Sequence, residues 1–293
     1  MRSRFWGAAA MAAAMILCIA GTAPGQQKVS ASDWAQIVEQ MGARGMINWT
    51  DAYIEAVGTG APRSQDLGKP LARPNALRAA QVDAYRNILE VLNGVRVDST
   101  TTIRDFTVES DIINTQVQGL IQGAKVMKQE YLSDGTVEVT VRMPLVGNLS
   151  SLLIPRLLEK RKIAIPQVSQ APVPAPVTTG EVYTGLVVDA RGIQARPAMS
   201  PRLVDERGQE IYGAQNVERE FAVQQGMSGY ARDLTAAQSN PRVTNNPLSV
   251  KGIRSDGPGR SDIVVGAADA EKIRAGGETQ GFMKKCRVMI VLD

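Results

Sequence analysis

The chain of 293 residues contains no histidine, and this absence excludes several kinds of functional site. Ser-His-Asp and Cys-His catalysis, imidazole metal ligation and histidine pH switching all require the imidazole ring. There are only two cysteines, Cys18 and Cys286, and Cys18 lies in a stretch that we expect to be removed. A single remaining cysteine can form neither an intramolecular disulfide nor a structural zinc site. We predict no metal and no other cofactor.

Long apolar runs are also scarce. The run at Gly7–Ala20 is shorter than the roughly 20 residues that span a bilayer. It follows Arg2 and Arg4 and precedes several small residues, which is the pattern of a secretory signal. We predict a signal sequence at residues 1–25 that is cleaved before Gln26; the alternative is that it is retained as an anchor. We therefore expect an exported protein, periplasmic or outer-membrane-associated, with no transmembrane segment in the mature chain.

Neither lipidation nor nucleic-acid binding is indicated. Leu17 stands before Cys18, where a lipoprotein signal needs a small residue. The 33 basic and 29 acidic residues give a net charge of +4, and removing two arginines with the signal leaves +2. This small excess is weak evidence for a nucleic-acid partner, and the aromatic content of 4% offers few rings for base stacking. Cys286 lies in an apolar strand pattern, which favours a buried side chain over a reactive thiol.

The first predicted domain, residues 26–162, is organised around a helix at Asn75–Asn93. Its apolar residues recur every three or four positions, which is the period of a helix that buries one face. They are Leu77, Ala80, Ala84, Ile88 and Leu92. Asn75 is expected to cap the first turn, and Gly94 to end the helix in a left-handed conformation.

The other elements of this domain follow from helical or alternating apolar spacing. We predict helices at Ser32–Met41, Asp105–Ile121 and Leu149–Leu158, and strands at Tyr53–Gly58, Val95–Thr101, Ala124–Leu132 and Thr136–Met143. Asp134-Gly135 between the last two strands predicts a tight hairpin, because the favoured turn needs positive φ. The helix at Asn75–Asn93 should cover one face of the resulting sheet.

Two surfaces of this domain are candidates for protein contacts. In the last strand, apolar side chains alternate with polar ones, which predicts a sheet with one wet face. That face carries the candidate interaction surface: Thr136, Glu138, Thr140 and Arg142. The second candidate is the strand at Val95–Thr101, which we expect to be exposed.

A proline-rich linker at residues 163–180 is predicted to separate this domain from a second one at residues 181–293. We expect the second domain to combine short helices with strands near Val182–Val188, Pro201–Val204, Gln209–Tyr212, Leu248–Ser255, Asp262–Val265 and Arg287–Leu292. The predicted fold class is α+β, with two small domains. Each is expected to be a mainly antiparallel sheet covered by helices.

The second domain offers two further sets of charged residues. Arg191, Arg196 and Arg202 lie close together in the sequence and form a candidate anion-binding site. Asp189, Asp205, Glu206 and Glu210 could form a carboxylate pair for acid–base chemistry, but their scatter over predicted loops favours solvated surface. Together with Asp262 and Asp269 they could bind a hard cation, but the sequence has no compact D-x-D-x-D-G loop.

Residues 54–147 resemble the N-terminal module shared by the LPP-twenty surface lipoprotein family and the flagellar H-ring protein T. The resemblance lies in Ile54–Gly60, Ala79–Glu90, Gly94–Val97, Ile121–Ala124 and Asp134–Val141. It implies a small α+β domain of bacterial envelope proteins, several of them tied to flagellar outer rings or to the outer membrane. The family supplies no catalytic residues to carry over.

These observations lead us to expect no enzyme. We expect an exported envelope protein that acts by protein–protein assembly, with other envelope or flagellar proteins, or further copies of itself, as partners. The alternative is a soluble periplasmic protein that binds peptidoglycan or a small anion in a pocket between its domains.

Overall fold

The computed structural model describes residues 36–164 and 182–293. The first range forms one lobe around a five-stranded sheet, and the second range forms another around a seven-stranded sheet. Helices accompany both sheets, so the predicted α+β class is confirmed. The predicted signal sequence and nearly all of the predicted linker lie outside the described residues.

The first lobe contains five strands in the order β1-β2-β3-β5-β4, and every neighbouring pair is antiparallel. The strands are β1 (Val38–Met41), β2 (Gly45–Asn48), β3 (Tyr53–Gly60), β4 (Lys125–Tyr131) and β5 (Val137–Pro144). The helices are α1 (Ala72–Asn93), α2 (Ile103–Glu109), α3 (Asp111–Gln122) and α4 (Asn148–Ala164).

Helix α1 packs across β3 and β5, as predicted. Ala76, Ala80, Ala84 and Ile88 are buried, and Gly58 of β3 allows the close approach. A Cβ at Gly58 would lie 2.1 Å from the backbone nitrogen of Ala84. The predicted helix ends are wrong in detail. The helix begins before Asn75, and Gly94 has φ −86° rather than a left-handed value. A glycine fits there because a Cβ would lie 2.2 Å from the Met41 side chain.

The predicted helix at Ser32–Met41 is wrong in its described part. Val38–Met41 is a strand that pairs with β2 through a turn at Gly42, whose φ is +67°. So short a segment gains little from helix formation by itself. Pairing with β2 therefore decides its conformation.

Two other predictions are wrong because contacts between distant residues decide the local structure. The single helix expected at Asp105–Ile121 is broken at Ser110, which is extended and accepts a hydrogen bond from the Ile113 N–H at 3.4 Å. The strand expected at Val95–Thr101 is not formed; that segment is a loop that makes one isolated bridge, between Arg96 and Thr102.

The second lobe has the strand order β8-β7-β11-β10-β6-β12-β9. The strands are β6 (Gly185–Asp189), β7 (Arg202–Val204), β8 (Glu210–Tyr212), β9 (Gly229–Ala231), β10 (Pro247–Asp256), β11 (Asp262–Val265) and β12 (Val288–Val291). The helices are α5 (Arg219–Gln225), α6 (Leu234–Gln238) and α7 (Ala267–Gln280). All six predicted strands are present, while β9 and α6 were not predicted.

This second sheet is mixed, so the expectation of a mainly antiparallel sheet is wrong for it. Four of its pairings are parallel and two are antiparallel. Every residue of β11 and β12 is buried, as are the first four of β6. Such continuous apolar runs are typical of parallel strands with both faces covered. Alternating spacing and turn residues, which indicate hairpins, do not reveal parallel pairing.

The two lobes share one hydrophobic core. A single cluster of buried side chains contains Val97 and Phe106 of the first lobe together with Leu203 and Tyr212 of the second. Within residues 36–164 and 182–293, no helix is long and apolar enough to cross a membrane.

Candidate functional site

The wet face of the first sheet carries three of the four predicted contact residues. Glu138, Thr140 and Arg142 alternate with fully buried residues along β5 and are themselves half-buried. Helix α1 lies on the opposite face, and in the described part of the chain we find no helix packed on this one. We call this surface the outer face.

Thr136 lies in the hairpin turn, one residue before β5. Its N–H donates to Asp134 Oδ1 at 2.8 Å, and its hydroxyl donates to Asp134 Oδ2 at 3.0 Å. These hydrogen bonds lower the pKa of Asp134. Gly135 has φ +85°, as the predicted turn requires. Thr136 therefore stabilises the hairpin that presents the outer face.

Arg142 is held in place by its neighbours on β3. Its Nε donates to Glu55 Oε2 at 2.8 Å, and its guanidinium carbon lies 3.8 Å from the centre of the Tyr53 ring. Because Glu55 and Arg142 are directly opposite in the β3–β5 register, this arrangement rigidifies the outer face. The result is a polar surface on which Arg142 and Glu55 hold each other in place.

Strand β4 forms an open edge of the first sheet. It pairs with β5 alone, and all of its residues except Val126 are exposed. Met127, Tyr131 and the adjacent Leu132 are 44%, 53% and 45% exposed. An edge strand offers unpaired backbone N–H and C=O groups, which another strand can use.

Most of the second predicted contact surface, Val95–Thr101, is instead buried between the lobes; Val95–Ser99 is buried and Thr100 is exposed. Its carbonyl groups accept backbone hydrogen bonds from the second lobe: Met199 to Arg96 at 3.0 Å, Ser200 to Val97 at 2.7 Å and Gly259 to Ser99 at 2.6 Å. The segment is thus a contact surface, but for this chain's own second lobe. The prediction that it is exposed is wrong.

Glu39 of β1 is the centre of the ion pairs between the lobes. It accepts from Arg96 at 2.7 and 2.6 Å and from Trp49 Nε1 at 2.8 Å. Arg196 of the second lobe lies 3.3 Å from it. Arg96 also donates to the Pro197 carbonyl at 2.8 Å and is 9% exposed. No pattern in the sequence indicates this cluster, because its members are far apart along the chain.

Asp262 forms a second buried contact between the lobes. It is 2% exposed, and its Oδ2 accepts from Ser99 Oγ at 2.7 Å. Arg202 donates to both of its carboxylate oxygens, and this contact raises the pKa of Arg202. The paired Asp262 is therefore part of the structure that joins the lobes.

The three arginines of the predicted anion site form three separate ion pairs. Arg191 binds Asp189 at 2.7 Å, Arg196 binds Glu39 and Arg202 binds Asp262. An anion would have to displace a carboxylate from each of them.

Asp189 and Asp205 of the second lobe are also engaged. Asp205 is 6% exposed, so the expectation that it is solvated is wrong. Burial raises its pKa, but hydrogen bonds from Arg274 and from backbone N–H groups outweigh burial and lower it overall. The hydrogen bond from Arg191 lowers the pKa of Asp189. No cluster in the described residues has the cysteines and carboxylates that a metal ion would need.

A cavity of about 30 Å³ lies between the lobes. Trp49 and Tyr230 line it and pack edge to face with their ring centres 5.9 Å apart. The Tyr230 hydroxyl accepts from the Ala198 N–H at 3.0 Å and donates to the Ala198 carbonyl at 2.6 Å. A space of this size holds about one water molecule. It is too small for a sugar or a peptide.

A comparison with known protein families gives a match to the second lobe. The family model for the second domain of Treponema pallidum Tp0624 matches residues 185–293. This range begins at the first residue of β6 and ends at the last residue of the chain. A search of curated proteins found no match. The second lobe is therefore similar to a domain that occurs within another protein, beside at least one further domain.

Proposed function

We propose that this chain is an exported, non-enzymatic envelope protein that acts by protein–protein assembly. The observation that carries the proposal is the first sheet, which combines an outer face without a covering helix and an exposed edge strand. The resemblance of residues 54–147 to an envelope module favours a flagellar or outer-membrane-associated structure as the setting.

The state of the reactive side chains supports an assembly role over catalysis. Cys286 is fully buried, and burial raises the pKa of its thiol to about 11. Asp205 and Asp262 are held by arginines. A general acid or nucleophile has to be accessible to its substrate, and these groups instead hold the fold together.

A periplasmic ligand-binding protein is the weaker alternative. That function would use the space between the lobes, where the cavity beside Trp49 and Tyr230 has room for about one water and the larger depression between Ser151 of α4 and helix α5 is shallow and open. The three arginines that would attract an anion are already neutralised by carboxylates.

Cell fractionation with a tagged full-length chain tests the proposal. We expect the protein in the envelope of its native host, in a complex that survives mild detergent extraction. In a flagellated host we expect it to sediment with isolated basal bodies. Recovery wholly as a free monomer in the soluble periplasm would contradict assembly and favour the ligand-binding alternative.

A further inference from the structure

The edge strand β4 is interrupted near its start and regular after that. Lys125 and Val126 oppose Arg142 and Val141, but the next paired residue is Lys128, which opposes Thr140. Met127 is therefore an extra, bulged residue. Lys128–Tyr131 continues without a shift, so four exposed residues present a regular edge.

The charges of this edge are unbalanced within one chain. Glu130 stands directly opposite Glu138 in the β4–β5 register, and like charges in that position destabilise a sheet. Lys128 offsets part of the repulsion through an ion pair with Glu130 at 2.7 Å. A second cation beside Glu130 would relieve more of it.

We propose that two copies of this chain pair through β4, antiparallel, about a two-fold axis at Gln129. In this register Lys128 of each copy faces Glu130 of the other, which supplies the missing cation twice. Met127 then lies beside Tyr131 of the other copy, so exposed apolar side chains are also brought together. The two five-stranded sheets become one sheet of ten strands with continuous outer faces.

The register follows from the sequence of the edge itself. Two identical antiparallel strands related by a two-fold axis normal to the sheet pair about a residue, because directly opposite side chains lie on the same face. An axis at Lys128 would place the two Lys128 side chains opposite each other and Val126 opposite Glu130. With the axis at Gln129, pairs of opposite charge alternate with apolar pairs, and no like charges stand opposite each other.

The other sheet edges are less suitable for this contact. β1 carries Glu39, which is engaged between the lobes. β8 and β9 have three residues each, and two of those three are buried. β4 is the long, exposed edge of the described chain.

The inference deepens the proposed function, because it names a second copy of the chain as one partner. A seven-residue strand is about 23 Å long, and pairing through it alone buries less than the roughly 1,200 Å² of a standard interface. We therefore expect a weak, reversible dimer of the purified mature protein. Further contacts within an assembly would strengthen it by avidity.

Charge exchange across the axis provides the sharpest test. Sedimentation equilibrium over a wide concentration range would compare the wild type with K128E, E130K and K128E/E130K. Each single reversal replaces two attractive pairs by two repulsive ones and should weaken dimerisation about tenfold. The double variant restores both pairs and should return close to the wild type. A wild type that is monomeric throughout, or a double variant no better than the singles, would overturn the inference.

A cysteine at the axis provides an independent test. Gln129→Cys places two thiols opposite each other across the strand pair, at a separation that a disulfide can bridge. Mild oxidation should give a covalent dimer much faster than for the control Lys251→Cys, whose site is exposed on β10. Equal rates would overturn the inference. Both tests use purified protein, so their failure leaves the cellular test of the proposed function intact.

Discussion

Replacing Arg96 by methionine tests how firmly the two lobes are joined. Methionine keeps most of the apolar stem but removes two hydrogen bonds to Glu39 and one to the Pro197 carbonyl. Removing one partner of a buried ion pair costs about 3–5 kcal/mol. Glu39 keeps Trp49 and Arg196 as partners and its side chain is 21% exposed, which reduces the cost. We therefore expect Arg96→Met to lower the free energy of unfolding by about 2–3 kcal/mol.

Urea unfolding followed by circular dichroism measures this loss. Because Arg96 contacts both lobes, we expect one transition whose midpoint falls while its slope is unchanged. Arg44→Met is the matched control. It breaks an ion pair with Asp83 between side chains that are 50% and 33% exposed, and should cost less than about 1 kcal/mol. A loss below about 0.5 kcal/mol for Arg96→Met, or separate transitions for the two lobes, would refute the reasoning.

Three further predictions concern individual contacts. Cys286 should react with a thiol reagent at pH 8 only after denaturation, because burial raises its pKa to about 11; rapid labelling of native protein would contradict this. Because the pKa of Asp205 is lowered in the folded protein, its pairing with Arg274 stabilises the fold above about pH 4, and this stabilisation is lost as the pH falls further. Arg274→Met should therefore lower the melting temperature more at pH 7 than at pH 3. Gly58→Ala forces a Cβ into the α1 backbone and should cost about 3 kcal/mol or more in chemical unfolding, whereas Gly119→Ala in α3, where nothing lies within 4 Å, should be neutral or stabilising.

The parts of the fold that could be predicted are those whose cause is local. α1 shows its buried face in its own three- and four-residue spacing, and β5 shows its two faces in strict alternation. The turn at Gly135 follows from the residue types that tolerate positive φ. In each case neighbours in sequence supply the physical reason.

The parts that were predicted wrongly are decided by distant residues. Arg96 meets Glu39 across 57 positions, and Ser99 meets Asp262 across 163. The apolar residues in the alternating pattern of Val95–Thr101 are therefore buried against the second lobe. The pattern alone does not distinguish such a segment from an exposed strand. The same holds for Val38–Met41, whose partner strand decides between helix and strand.

Only the part of the candidate surface that depends on local spacing was predicted. Alternation along β5 placed Glu138, Thr140 and Arg142 on one face, while the contact between Thr136 and Asp134 belongs to the turn. The open edge at β4 was not predicted as a separate feature, because the strand order of a sheet is not encoded in the spacing of one strand.

The size of the native complex tests the central claim most directly. Thr140→Arg adds a long cation at the middle of the outer face, and Ser249→Arg adds the same side chain to an exposed position on β10. Envelope extracts of the native host carrying each variant would be compared by native gel electrophoresis, with circular dichroism confirming that both variants are folded. We predict that the wild type and Ser249→Arg migrate in a large assembly and that Thr140→Arg is released as a smaller species. Identical migration of all three as a monomer would contradict an assembly function.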